Sequence, residues 1–318
     1  MAVMTIEQLR IFLAVAEHLH FTRTAEVLYV TQPAVSAAIQ NLEREYSVRL
    51  FHRIGRRIEL TDAGKLLQIE AQKIIEQVML TERGLKELNN LQRGQLRLGS
   101  SLTIGNYWLP EKISQFQNHY PRISIHCTLA NTEEICIGTA TGQFDLGLIE
   151  GEVKSSLQNS LEQKSVASDC LQIIVGKNHP WYHQKKVLLS ELTQTDWVMR
   201  EAGSGTQQQF EEALLSWGIK PTQLNVILIL NTGEMVKSVV ETGVAAAGIS
   251  ELMIKKELKL GSLRAIQILD DRNGRTKTLE WVCPFLKLKH RERFQTRICQ
   301  AFEEILETEP INIYLEKV

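Results

Sequence analysis

Three short stretches of the chain combine hydroxyl or amide side chains with what reads as the start of a helix. They are Ser100-Ser101-Leu102-Thr103, Asn131-Thr132 and Gly203-Ser204-Gly205-Thr206. Each follows a strand-like apolar run, and the glycines of the third let backbone approach a ligand closely. Helix-start N–H groups carry partial positive charge and hydroxyls add donors, so such loops can hold a carboxylate or oxyanion without a cation. The candidate ligand residues are therefore Ser100, Ser101, Thr103, Asn131, Thr132, Gly203, Ser204, Gly205 and Thr206, with Asn231 after NVILIL as a further contact. Simpler roles compete: Ser204 or Thr206 could just cap a helix, and Asn231 could just end its strand. Glu150, closing FDLGLIE, would repel an anion if it faced the same space.

A second chemistry lies between residues 20 and 60, HFTRTAEVLYVTQPAVSAAIQNLEREYSVRLFHRIGRRIEL. Gln32, Ser36 and Gln40 are four apart and share one helix face. Gln can bond two atoms of an adenine edge, and Ser can serve a base or a phosphate. Arg53, Arg56 and Arg57 cluster around Gly55, and Arg forks match phosphate oxygens. Residues 31 to 57 hold five Arg against two Glu, a local balance of +3, while the whole chain carries −1. Phosphate affinity follows local charge, so the near-neutral total does not oppose DNA binding.

The elements that must position these groups can be read outward from them. Thr5 caps a first helix with Ile6, Leu9, Phe12, Leu13 and Ala16 on one buried face. A second helix starts near Thr22, with Ala25, Val27 and Leu28 inward, and Tyr29 and Val30 closing it. Thr31 caps a third helix, with Pro33 in its first turn and Val35, Ala38, Ile39 and Leu42 facing inward. A hairpin from Leu50 to Leu60 follows. This is the pattern of a winged helix-turn-helix, with Thr31, Gln32, Pro33, Ser36 and Gln40 toward the major groove. From Thr61 to Gln92 the pattern stays helical. Leu67, Ala71, Ile74, Val78, Thr81, Leu85 and Leu88 alternate in steps of four and three, a heptad seam suited to a second copy of the chain. Two paired heads imply an inverted-repeat DNA site.

After Gly94 strands alternate with helices in a parallel βαβ rhythm, and VILIL at 226 to 230 reads as a buried strand. The fold class is α plus α/β. The expected domains are a winged head over 1–62, a linker and dimerisation helix over 63–93, and a two-lobed ligand-binding domain over 94–318. Its lobes would span about 95–165 with 268–300, and about 166–267. A ligand that prefers one lobe arrangement by about 1–3 kcal/mol would shift its population and so alter DNA binding.

Several classes are disfavoured. No GxSxG, Walker, HExxH or strand-following GxGxxG motif is present, so no catalytic residue is assigned and no enzyme is expected. The five cysteines show no CxxC spacing and the eight histidines are scattered, so no metal or cofactor is expected. Redox sensing through the cysteines is the alternative regulatory reading. No apolar run reaches the ~18 residues of a membrane span, and MAVMTIEQLR lacks an export signal, which points to the cytoplasm.

FTRTAEVLYVTQPAVSAAIQNLE and LFHRIGRRIELTDAG resemble the N-terminal domain of the LysR-type transcriptional regulators, and the resemblance extends over essentially the whole chain. It implies a periplasmic-binding-protein-like effector domain, double-stranded DNA and RNA polymerase as partners, and a dimer or tetramer. It also places the effector at Ser101, Thr103, Thr132, Ser204 and Thr206. SSLTIGNYWLP, FDLGLIEG and REAGSGT resemble a narrower branch with regulators of sulfur assimilation and sulfite response. That branch implies a sulfur oxyanion effector, with a small organic acid of carbon or nitrogen metabolism as the rival. Branch members often follow GSGT with Arg; this chain has Gln207, which implies a less highly charged or differently held effector.

Overall fold

The computed structural model describes residues 4–54, 57–87, 94–270, 277–279 and 281–307. The chain divides into two compact units, Met1–Lys86 and Glu87–Val318.

The first unit runs α1 (Ile6–His18), α2 (Phe21–Val27), α3 (Gln32–Glu45), β1 (Phe51–Ile54), β2 (Arg57–Leu60) and α4 (Asp62–Glu87). Thr5 and Gln8 form a full capping box on α1. Its core gathers Leu9, Phe12 and Val15 of α1, Ala25 of α2, Val35, Ile39 and Leu42 of α3, and Phe51 of the hairpin. Two expected inward residues are not there: Val27 is 50% exposed, at the last turn of the short α2, and Ile6 lies at the rim. In the heptad seam, Ala71 is fully buried and Leu67 packs beside it, both taken up by this unit's own core. The seam is therefore not one continuous docking stripe. Ile74 and Leu85 remain exposed, as do Leu66, Ile69 and Met79 elsewhere around α4. Leu88 lies outside the described residues.

The second unit contains β3 (Gly94–Ser101), α5 (Leu102–Tyr107), α6 (Leu109–His119), β4 (Ile123–Ala130), α7 (Thr132–Thr141) and β5 (Leu146–Glu150). Next come β6 (Leu161–Gly176), β7 (Lys186–Leu188), β8 (Asp196–Arg200), α8 (Gly205–Ser216), β9 (Asn225–Leu230), α9 (Gly233–Thr242), β10 (Ala246–Ser250) and α10 (Glu251–Leu260). β11 (Leu263–Asp270), β12 (Lys277–Leu279), β13 (Val282–His290) and α11 (Arg297–Glu307) complete it.

The strands follow the order β4-β3-β5-β13-β6-β10-β8-β9. The expected parallel series holds for β3, β4 and β5 and for β8, β9 and β10, while β6 and β13 run antiparallel to their neighbours. The long β6 pairs with β13 up to Cys170, then with β10 from Leu171 and with β11 from Ile173, so one strand serves both lobes. Phe116, Phe302, Phe285 and Trp108 fill the core of one lobe. Trp197, Phe210, Trp217 and Trp281 fill that of the other. The VILIL segment is not buried: β9 is the outermost strand beside β8, and Ile229 is 65% exposed. Apolar composition alone cannot separate a central strand from an edge strand.

Candidate nucleic-acid interface and ligand cleft

In the first unit the Thr31 hydroxyl accepts the Ala34 N–H and so starts α3, with Pro33 in the first turn. Burial of Val35, Ile39 and Leu42 turns Gln32, Ser36 and Gln40 away from the core; Gln32 and Gln40 are exposed and Ser36 is half-buried. Gln32 Nε2 donates to Ser36 Oγ at 2.9 Å, which orients two of the three groups relative to each other. Tyr29, in the turn before α3, has φ 55° and is 96% exposed. An aromatic ring held in solvent by a left-handed backbone is a candidate contact that sequence reading placed merely as the end of a helix. Its signal was weak, because nothing in the local pattern marks a positive φ at Tyr29.

The hairpin is held to α3 by Glu43. Its Oε1 accepts the Leu50 N–H at 2.8 Å and the Phe51 N–H at 3.3 Å, and its Oε2 pairs with Arg49 at 3.5 Å. Thr61 Oγ1 donates to the Arg49 carbonyl and accepts the Gly64 N–H, tying the other side of the hairpin to α4. A Cβ on Gly64 would meet the Leu50 carbonyl oxygen at 2.2 Å, so only glycine fits this approach. Arg53 opposes Ile58 and Arg57 opposes Ile54 across the strands. Arg56 lies outside the described residues.

In the second unit the strand ends converge. Ser100, Ser101, Thr103, Thr132, Ser204 and Thr206 are all buried. Ser101 is the N-cap of α5, Asn131 of α7 and Ser204 of α8. Thr103 and Thr206, from opposite sides, approach within 3.4 Å at their hydroxyl oxygens. Thr132 Oγ1 donates to the Glu150 carbonyl at 3.0 Å and accepts the Gly205 N–H at 3.1 Å. The Glu133 N–H donates to the Gly203 carbonyl at 3.2 Å. A Cβ on Gly205 would meet the Glu150 carbonyl oxygen at 1.9 Å, so the close approach of these segments depends on that glycine.

Glu150 is the residue whose place matters most. It is buried, and its carboxylate accepts the Ser101 hydroxyl on Oε2 and the Thr206 hydroxyl on Oε1 at 3.1 Å. The hydroxyl loops thus already hold a carboxylate, one belonging to the chain. Other candidates are placed differently. Ser100 donates to the Ser101 carbonyl, and Asn131 is committed to its capping box with Glu134. Asn231 is exposed, lies just past β9, and its carbonyl accepts from Arg200; no hydrogen bond of the described cluster reaches it. Gln207 Oε1 accepts the Arg200 N–H and Nε2 donates to Glu211, so this side chain ties α8 to the end of β8. The Arg200 guanidinium, buried at that strand end, is neutralised by Glu201 at 2.8 Å.

Sequence reading did not find Asp169 or Ser250. Asp169 accepts the Ser250 hydroxyl on Oδ2 and the Cys170 N–H on Oδ1 at 2.8 Å. Burial drives its carboxyl up to about 7, and the nearby charges of Glu251 and Glu150 add to the rise, against the lowering by these hydrogen bonds. An aspartate inside a long strand was the available signal. A cavity of about 500 Å³ adjoins the cluster, lined by Thr132, Glu133, Lys154, Gly203, Ser204 and Gln207 among others.

No disulfide joins the five cysteines. Burial pushes the thiols of Cys127 and Cys283 up and that of Cys136 to about 12, away from the reactive thiolate. Among the described residues no group of His, Cys, Asp and Glu could hold a metal ion, and no helix is long and apolar enough to cross a membrane.

Comparison with known proteins bears on both units. A family model described as "Bacterial regulatory helix-turn-helix protein, lysR family" matches residues 6–65, and one described as "LysR substrate binding domain" matches residues 89–307. The chain is 37% identical over 303 residues to a probable RuBisCO transcriptional regulator of Trichormus variabilis, covering 95% of this chain and 88% of that protein. It is 34% identical over 299 residues to a probable RuBisCO transcriptional regulator of Chlorokybus atmophyticus, covering 94% and 96%. In fold it is similar to full-length CbnR complexed with its target DNA, with TM-score 0.67, 20% identity and coverage of 95% and 99%. It is similar also to the CcmR regulatory domain of Synechocystis in complex with 2-PG, with TM-score 0.59, 20% identity and coverage of 70% and 99%.

Proposed function

Because the chain belongs to the LysR-type family of DNA-binding transcriptional regulators, we propose that its α/β unit senses a small anionic or carboxylate metabolite in the hydroxyl-lined cleft. The chain is a regulator and not an enzyme. One observation carries the effector reading: Ser101 and Thr206 already solvate the Glu150 carboxylate. An effector carboxylate would displace that of Glu150 and take the same hydroxyls, with Thr103 beside them. The helix starts after Ser101 and Ser204 add favourable dipoles. The relatives named as RuBisCO regulators favour an acid of carbon metabolism over a sulfur oxyanion.

On the DNA side, Gln32, Ser36 and Gln40 read bases in the major groove while Arg53, Arg56 and Arg57 hold phosphates. The regulator works as a dimer or tetramer on an inverted repeat, with Ile74, Val78 and Leu85 of α4 among the residues that meet a second copy. It contacts RNA polymerase and acts in the cytoplasm. The effector test is a thermal-shift screen of sulfate, acetate, lactate and glycolate on the wild type and Thr103→Val. A binding anion raises the melting temperature of the wild type only. Equal shifts in both proteins would remove Thr103 from the site, and no shift with any anion would count against an anionic effector.

A further inference from the structure

We infer that a small anion enters this cleft together with a proton, and that Asp169 takes up that proton; the inference rests on the anionic effector proposed above. Asp169 is 1% exposed and lies where β6 leaves β13 and begins to pair with β10. Ser250, whose hydroxyl donates to it, is the last residue of β10 and the N-cap of α10. Across the sheet Glu150 opposes Phe285, Phe285 opposes Ala167, and Asp169 is two residues further along β6. Side chains alternate with a period of two, so Glu150 and Asp169 share one face of the sheet.

The groups that act on Asp169 from the packed elements are Glu251 of α10 and Glu150 of β5, both acidic. Its strand partner on β13 is Cys283, whose thiol burial keeps protonated. No cation is among the described groups acting on Asp169. Of the described buried cations of this unit, Arg200 pairs with Glu201 and Lys287 with Glu303 and Glu307, while Lys112 lies over the Trp108 ring; the half-buried Lys237 pairs with Glu234 and Glu257. Two buried carboxylates on one face, with no cation among the described groups acting on Asp169, are poorly suited to a third negative charge nearby. Like charges in a desolvated space resolve the conflict by protonating one member. Asp169 is the member already poised near neutrality, at about 7. The incoming anion raises it further, and anion and proton bind as a neutral pair. Ser250 and the Cys170 N–H remain in place to orient the carboxyl group.

The test titrates sulfate, acetate and lactate into the full chain at about pH 6, 7 and 8. Any of the three that binds is expected to lose about tenfold in affinity per pH unit above about pH 7, and Asp169→Asn is expected to abolish that dependence. A Kd independent of pH in the wild type overturns the proton coupling and leaves the anionic effector standing. An unchanged slope in Asp169→Asn overturns the assignment to Asp169. Failure of all three to bind at every pH defeats the effector reading and this inference with it. Should Asp169→Asn not fold, calorimetric titration of the wild type in two buffers of different ionisation enthalpy counts the protons directly. An uptake of zero then refutes the proposal.

Discussion

Thr206 donates its hydroxyl to Glu150 Oε1 at 3.1 Å, joining the first turn of α8 to the last residue of β5. The contact makes Glu150 the carboxylate already held by the Ser101 and Thr206 hydroxyls, where the proposed effector would bind. Replacing it with glutamine keeps the size and leaves an acceptor for Thr206 while removing a charge. A unit charge ~6 Å away at an effective dielectric of ~20 is worth about 3 kcal/mol. Glu150→Gln is therefore expected to tighten binding of an acetate-like anion by one to two orders of magnitude. Isothermal titration of both proteins measures this. Identical dissociation constants would mean that Glu150 and the anion do not compete.

The proposed base-reading role of Gln32, which donates to Ser36 on α3, and the proposed phosphate role of Arg53 can be tested separately. Gln32→Ala is expected to cost about 1–3 kcal/mol on the specific site and to relax its sequence preference. Ser36→Ala should cost less, since Gln32 keeps its reach but loses its brace. Arg53→Ala should weaken specific and random DNA alike and reduce the salt slope by about one. Anisotropy titrations over a range of salt distinguish the cases. If Gln32→Ala weakened random DNA as much as the specific site, base reading would have to be assigned elsewhere on α3.

Glu43 anchors the hairpin through the Leu50 and Phe51 N–H groups, with only a small part of its side chain exposed. Glu43→Ala leaves both donors without this acceptor, at a cost of about 1–3 kcal/mol in stability. The same change raises local positive charge, so nonspecific DNA affinity should hold or rise while specific affinity falls. Urea denaturation and binding to two DNA sequences together check it. Loss of specific and nonspecific binding in equal measure would argue against a positioning role for Glu43.

Much of this architecture is legible in the chain. The caps at Thr5 and Thr31, the inward positions of Val35 and Leu42 and the hydroxyl loops all follow from local chemistry. What is not legible depends on partners distant in sequence. Val27 and Ile229 have apolar side chains, but their exposure is set by a helix end and a sheet edge. Ala71 fits a heptad, yet the hydrophobic pattern does not say whether its partner is another chain or its own head. Glu150 was visible as a possible repeller; that it is bonded to Ser101 and Thr206 depends on a contact spanning 56 residues in the second case. Asp169 was missed because only the strand crossing gives it a role.

Asp169 should also leave a mark on stability in the absence of any effector. Its carboxyl titrates near 7 in the folded chain against 3.8 when unperturbed, chiefly because burial penalises the charged form. The unfolded chain therefore loses this proton first. Between about pH 4 and pH 7 the folded state binds more protons, so stability from this group is full below about 4 and falls as pH rises through 7. Above that it is level, because both states are ionised. A shift of this size corresponds to at most about 4 kcal/mol. Asp169→Asn removes the ionisable group and can keep a hydrogen bond with Ser250. The variant should gain stability relative to the wild type as pH rises from about 4 to about 8, with most of the gain complete by about 7. Urea midpoints of the two proteins at matched pH isolate the contribution, since every other titrating group is common to both. A stability difference that stays constant across that window would show that Asp169 is ionised as readily in the folded chain as in the unfolded one, and the buried acid would lose its place in the effector mechanism.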